Sequence, residues 1–200
     1  MGSNDLLMIF VKNPVLGKVK TRLASTVGAE NALTIYLKLL EHTESVVTPI
    51  EANKAIFYSD EIQEFDQFNE LKYKKYLQKG EELGEKMQHA FRLAFSKEYN
   101  KVLIIGSDCY QISTQIIEDA FQSLDEKDMV IGPAEDGGYY LLGMKSFHPK
   151  FFTDKRWSTE NVMLDTLLDI KNMGLSYHLL PTLSDVDYEE DLGDLKKLIE

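Results

Sequence analysis

Leu6-Leu7-Met8-Ile9-Phe10-Val11, followed at once by Lys12-Asn13-Pro14-Val15-Leu16-Gly17-Lys18-Val19-Lys20-Thr21-Arg22-Leu23, is the stretch from which the rest of the chain can be read. The first six residues form a continuous apolar run with two β-branched members, Ile9 and Val11, the pattern of a strand buried on both faces. Pro14 and Gly17 then break any regular ladder, so the chain must turn before an amphipathic helix begins. A loop between the carboxyl end of a buried strand and the start of a helix gathers unpaired backbone N–H groups beside the positive end of the helix dipole. Lys12, Lys18, Lys20 and Arg22 add cationic donors to it. The loop therefore reads as a phosphate-binding element, although a lysine-rich exposed turn would leave the same residues.

Two other phosphate loops are excluded by spacing. Lys20-Thr21 imitates the end of a Walker A motif, but Val19 stands where its second glycine is required, and the first glycine is missing as well. No G-x-G-x-x-G follows the first strand. The net charge of −11 argues against nucleic acid or an anionic membrane as a general partner, which makes a cationic cluster in this chain informative. Cys109 is the only cysteine, so no disulfide can form within the chain. No run reaches the length of a membrane span and no signal-peptide pattern opens the sequence, so a cytoplasmic protein is expected. Leu6 stands where a myristoylation signal beginning at Gly2 would need Ser or Thr. His42, His89, His148 and His178 show no zinc-ligand spacing. Two hundred residues suit one domain spanning 1–200.

Outward from the loop, apolar residues at helical spacing predict a helix over 30–47, β-rich runs predict strands at 54–58 and 73–77, and a helix follows over 83–95 with Leu83, Met87, Phe91 and Phe95 on one stripe. A buried strand over 101–105 stops at Gly106-Ser107-Asp108, and Ser113 or Thr114 caps a helix running to 124. Residues 129–131 and 139–142 read as two strands around the turn at Gly137-Gly138. A helix over 159–173, a strand over 175–180 and a terminal helix over 188–199 complete the chain. This alternation predicts a three-layer α/β/α sandwich, Rossmann-like, with a mixed and mainly parallel sheet.

In such sheets ligands lie outside the carboxyl ends of the parallel strands. At that rim the sequence delivers the cationic loop, residues 78–84, Ser107-Asp108 and Ser184-Asp185-Val186-Asp187. Cations beside carboxylates suit a metal-bridged diphosphate, with Asp108 and one of Asp185 or Asp187 as oxygen ligands for Mg²⁺ or Mn²⁺. Taken singly, Asp108 could be a turn former, and Asp185 and Asp187 could cap the last helix. A type I′ hairpin turn would likewise explain Gly137-Gly138 without chemistry.

Lys12-x-Pro14-x-x-Gly17-x-x-Lys20-Thr21-Arg22-Leu23, Gln78-x-Gly80-x-x-Leu83-Gly84-x-x-Met87, Gly106-Ser107-Asp108-Cys109, Gly132-Pro133-Ala134-x-Asp136-Gly137-Gly138-Tyr139-Tyr140-Leu141-Leu142-Gly143, Trp157-Ser158-Thr159 and Asp185-Val186-Asp187 occur in this order along nearly the whole chain. Together they resemble the bacterial glycosyltransferase A-like (GT-A) branch of the nucleotide-diphospho-sugar transferases. The first and fourth also resemble phospholactate-type guanylyltransferases of the same fold. The resemblance implies that Lys12, Pro14, Gly17, Lys20, Thr21, Arg22, Gln78, Gly80, Gly84 and Ser107 bind a nucleotide. It implies that Asp108, Asp185 and Asp187 serve the metal, and that Gly137, Gly138, Tyr139, Trp157, Ser158 and Thr159 border the acceptor. Tyr110 departs from the branch, which usually has Pro after Gly-Ser-Asp-Cys, and the second Asp of an Asp-x-Asp signature is absent.

Sugar transfer from a nucleotide-diphospho-sugar is the first expectation, with Asp136 as general base for an acceptor hydroxyl and Lys20 and Arg22 stabilising the departing diphosphate. The alternative is a guanylyltransferase-like reaction, moving a nucleoside monophosphate from a triphosphate to a phosphorylated acceptor; the dense cations of the first loop favour it. A nucleotide-binding module without catalysis is the third. All three imply a nucleotide and, for the enzymes, a small-molecule acceptor.

Overall fold

The computed structural model describes residues 4–153, 155–157 and 159–199. Strand β1 (Leu6–Val11) lies near the middle of a seven-stranded sheet. Its neighbours are β2 (Asn53–Tyr58) and β4 (Val102–Ile105), both parallel to it. Beyond β2 lies β3 (Tyr73–Leu77), also parallel. On the other side the order continues through β6 (Tyr139–Met144), β5 (Met129–Pro133) and β7 (Tyr177–Leu179), giving 3-2-1-4-6-5-7. Only β6 runs antiparallel, paired with β4 on one side and β5 on the other. The mixed, mainly parallel α/β sheet expected from the sequence is therefore present.

The side chains of β1 alternate between two cores, as the two-residue period of a strand requires. Leu7, Ile9 and Val11 enter one, with α2 (Ala29–Val47) and α4 (Thr114–Glu126) laid over them through Ile35, Leu39, Ile117 and Leu124. Leu6 and Met8 enter the other, covered by α3 (Leu83–Ser96) and α5 (Val162–Asn172) through Met87, Phe91 and Ile170. Covering both faces is what permits such a continuous apolar strand. Ser113 caps α4, its side chain accepting from the Ile116 N–H.

Three local expectations need revision. The loop leads first into a short helix, α1 (Thr21–Val27), which Gly28 separates from α2. At seven residues it offers only a fraction of a long helix's dipole. Helix α5 starts at Val162 rather than 159, leaving Trp157 and Thr159 in a loop. The terminal segment is a 3-10 helix (Glu189–Leu198), kinked at Gly193, whose φ of 50° breaks regular helical geometry. Among the described residues no helix is long and apolar enough to cross a membrane.

Because β1, β2, β3, β4, β5 and β7 run parallel, all their carboxyl ends open on one edge, where antiparallel β6 contributes its amino end. Every loop singled out in the sequence emerges there.

Candidate functional site

The loop after β1 is fixed by buried polar anchors. Asn13, 3% exposed, donates to the Glu61 carbonyl at 2.8 Å and accepts from the Asp60 N–H at 2.9 Å, tying it to the end of β2. Tyr36, rising from α2, accepts from the Lys12 N–H at 2.8 Å, donates to the Lys12 carbonyl at 2.9 Å and lies 3.3 Å from the Ser107 hydroxyl. Burial, reinforced by the charge of Asp108, pushes its phenol upward, so it remains a protonated clamp between the first and fourth strand ends.

Lys20 begins α1 in the left-handed region, with φ 47° and ψ 47°. A non-glycine residue held there points to a position that its surroundings over-determine. Its ammonium reaches Asp108 Oδ2 at 3.0 Å and Asp187 Oδ1 at 3.3 Å, and its side chain is only 3% exposed. Burial would drive this amine down, but Asp108 and Asp187 outweigh it and hold its pKa above the ordinary lysine value. Arg22 Nη1 takes the second oxygen of Asp187 at 3.0 Å and its guanidinium lies 5.9 Å from the Tyr188 ring centroid. The loop carrying these aspartates is itself docked, since the Val186 N–H donates to the Asp108 carbonyl at 3.0 Å and the Ser184 N–H to Gln111 Oε1 at 2.9 Å. Asp185 is partly buried beside them. Burial first, then the charge of Asp108, pushes its carboxyl up to about 7.

These groups line a cavity of about 390 Å³, a size ordinary for a small-molecule site. Lys12, Lys20, Thr21, Arg22, Asp108, Asp185 and Asp187 come together there. Asp136, Gly138, Tyr139, Trp157 and Thr159 line the same cavity with Leu83 and Val162, and the charge of Asp136 adds to that of Asp108 on Asp185. Asp136 Oδ1 accepts from the Gly138 N–H at 2.9 Å, and Gly137, at φ 86°, donates to the Ala134 carbonyl and accepts from the Met163 N–H, so a tight turn is tied to the start of α5. A Cβ on Gly84 would fall 2.1 Å from the Trp157 indole nitrogen; the glycine lets the ring close one wall.

Other expected residues lie beside the cavity rather than on its surface. Gln78 spends its amide N–H groups on the carbonyls of Val11 and Phe57, at 3.2 and 2.9 Å, locking strand ends together. Pro14, Gly17, Gly80, Gly84, Ser107 and Gly137 are likewise absent from the lining. Ser158 lies outside the described residues. Tyr110 packs on His42, ring centroids 4.6 Å apart, so the replacement of the usual Pro is absorbed on the α2 side of the sheet. Burial, with Asp185 nearby, pushes the Cys109 thiol up to about 12, which suits a packing residue. Tyr36 and Leu83 were not recognised as site residues from sequence. Both sit on helical apolar stripes, and what sets them apart is their placement opposite strand ends.

The donor set fits a hard divalent cation: Asp108 and Asp185 present carboxylate oxygens whose mutual repulsion a cation would relieve. Among the described residues, however, no three ligating side chains form a ready cluster, so substrate oxygens or waters would have to complete a coordination shell.

This sheet, with charged loops gathered along its carboxyl rim, has the fold of the nucleotide-diphospho-sugar transferases. A solved structure from Desulfovibrio desulfuricans G20, provisionally named a nucleotide-diphospho-sugar transferase, superimposes with a TM-score of 0.89 and 32% identity, covering 98% of this chain and 87% of that one. The chain belongs to the family of uncharacterised proteins conserved in bacteria, DUF2064, whose model matches residues 39–159. The 2-phospho-L-lactate guanylyltransferase of Methanocaldococcus sp. (strain FS406-22) is 27% identical over 183 residues, 90% of this chain and 77% of that protein. That of Methanocaldococcus vulcanius is 26% identical over 193 residues, 95% of this chain and 84% of that protein.

Proposed function

We propose that this protein is a nucleotidyltransferase that moves a nucleoside monophosphate from a nucleoside triphosphate to a small phosphorylated acceptor. The observation that carries the reading is the convergence of Lys12, Lys20 and Arg22 with Asp108 and Asp185 on the lining of one cavity. Attack by an acceptor phosphate oxygen on the α-phosphorus breaks the bond to the bridging oxygen, and pyrophosphate leaves. An acceptor phosphate is already ionised, so the reaction needs alignment and charge neutralisation more than a base. Lys20 and Arg22 supply fixed positive charge toward the phosphates, while Tyr36 holds the loop that carries Lys12. Asp108 and Asp185 would hold Mg²⁺ or Mn²⁺, which when bound neutralises phosphate charge and aligns the leaving group. Leu83, Trp157 and Val162 add apolar surface to the lining.

Sequence alone put sugar transfer first. The names of the guanylyltransferase relatives favour the alternative, and so does the engagement of Asp136 in its own turn, which offers less to a general-base role. Sugar transfer is kept as the second reading because the 32%-identical structure carries that name and Asp136 lines the cavity. A turnover screen separates the two. Pyrophosphate released from a triphosphate in the presence of phosphorylated acids supports nucleotidyl transfer; diphosphate released from a nucleotide sugar, with no pyrophosphate from any triphosphate, refutes it.

A further inference from the structure

Lys20 and a divalent cation held by Asp108 and Asp185 would both draw on the Asp108 carboxylate. The ammonium stands 3.0 Å from Asp108 and 3.3 Å from Asp187, nearly sealed from solvent, while Arg22 occupies the remaining oxygen of Asp187. Its backbone cannot easily swing away, because the left-handed Lys20 carbonyl accepts the Ala24 N–H at 2.8 Å as the first bond of α1. Three carboxylates thus face two positive charges already in place. A divalent ion arriving alone would meet little net negative charge, and it would have to displace a buried ammonium from Asp108, the carboxylate both would use, without offering it a new partner. A polyphosphate changes this balance. It brings oxygens that can complete the metal's shell and others that can receive the displaced ammonium.

We propose that Lys20 is a built-in counter-ion of Asp108 and Asp187, competing with the metal for Asp108, so that a divalent cation enters only together with a polyphosphate. Lys20 then has two successive partners, the carboxylates first and phosphate oxygens afterwards, and the enzyme takes up metal and nucleotide as one complex. This rests on the reading of the cluster as a metal and polyphosphate site.

The test is calorimetric and independent of turnover. Mn²⁺, inorganic tripolyphosphate and their one-to-one complex are titrated separately into metal-stripped wild type, Lys20→Gln and Lys20→Arg. Wild type should take up the complex but bind Mn²⁺ alone only weakly. Lys20→Gln, which is one bond shorter but stays polar and removes the charge, should bind Mn²⁺ alone at least about tenfold more tightly, and its melting temperature should rise with Mn²⁺ alone where that of wild type does not. Lys20→Arg should behave like wild type toward the metal. Equal Mn²⁺ affinity in wild type and Lys20→Gln, with the complex still bound, overturns the competition while leaving the site reading intact. Tight Mn²⁺ binding by wild type without polyphosphate overturns it without recourse to any variant. Failure of wild type to bind Mn²⁺, tripolyphosphate or their complex would instead remove the site reading on which the proposal stands.

Discussion

Replacing Asp185 by Asn should stabilise the metal-free protein while disabling it. Asp185 is enclosed beside Asp108, Asp136 and Asp187, with Lys20 as the compensating charge, and its carboxyl is pushed up to about 7. A carboxylate in the unfolded chain titrates near ~3.9, so the fold disfavours the ionised form by roughly three pH units, or about 4 kcal/mol at 1.36 kcal/mol per unit. The group keeps some contact with water, and the cost borne by the real molecule is about half of that after allowance for screening. The sign follows from proton linkage: between the unfolded and folded pKa values the native state binds more protons, so this group's contribution to stability falls as pH rises from about 4 to about 7 and is constant above. Asparagine has the same shape and no charge. In EDTA at pH 8, Asp185→Asn should therefore be about 2 kcal/mol more stable in urea titrations, which is roughly 4–8 °C in melting temperature for a chain of this size. The advantage should shrink towards nothing at pH 4.5. A variant no more stable than wild type at pH 8, or one whose advantage does not diminish on acidification, would refute the electrostatic account of this rim. Stability stored against function in this way is a recurrent feature of active sites.

Arg22 is exposed, pairing with Asp187 and lying beside the exposed Tyr188 ring, so Arg22→Ala should weaken triphosphate binding by about tenfold in calorimetry with little change in melting temperature. Asp136→Asn separates the reaction classes: a mild effect on turnover is expected for nucleotidyl transfer, whereas a loss of about two orders of magnitude would restore Asp136 as a general base for sugar transfer. Gly84→Ala must displace the Trp157 indole, because the new methyl would overlap the ring. As Trp157 is the only tryptophan, its fluorescence reports that displacement directly, and about 1–3 kcal/mol of stability should be lost. An unshifted emission spectrum in a folded Gly84→Ala protein would contradict the packing described.

How much of this was legible in the sequence depended on whether the responsible interaction was local. Leu6–Val11 and Val102–Ile105 could be read as buried strands because an apolar run carries its own burial requirement, and the Gly137-Gly138 turn announced the one antiparallel member. From those elements the strand-end rule is enough to bring Lys20 and Asp108 to the same edge. Element ends were less readable. The terminal helix looked regular in composition, yet Gly193 breaks it, and α5 begins late because the chain before Val162 serves the cavity wall.

The roles of individual polar side chains were hardest to read, since each is decided by a partner far away in sequence. Lys20 and Asp187 are 167 positions apart, and no local pattern says that one ammonium will bridge two carboxylates. Tyr36 satisfies the helical stripe with its ring, so its hydroxyl, which binds both backbone groups of Lys12, is invisible to periodicity. Gln78 sits in a motif that resembles a nucleotide-binding element, yet its amide closes the ends of β1 and β2. A recurring polar residue at a rim therefore has two physical justifications, contact with a ligand or satisfaction of the backbone groups that a strand end leaves unpaired. The distinction has a consequence for mutagenesis at this rim. Loss of Gln78 should register first as instability, because the Val11 and Phe57 carbonyls each lose a hydrogen bond that ties strand ends together, whereas loss of Arg22 should register first in binding, because its removal leaves no buried group unpaired.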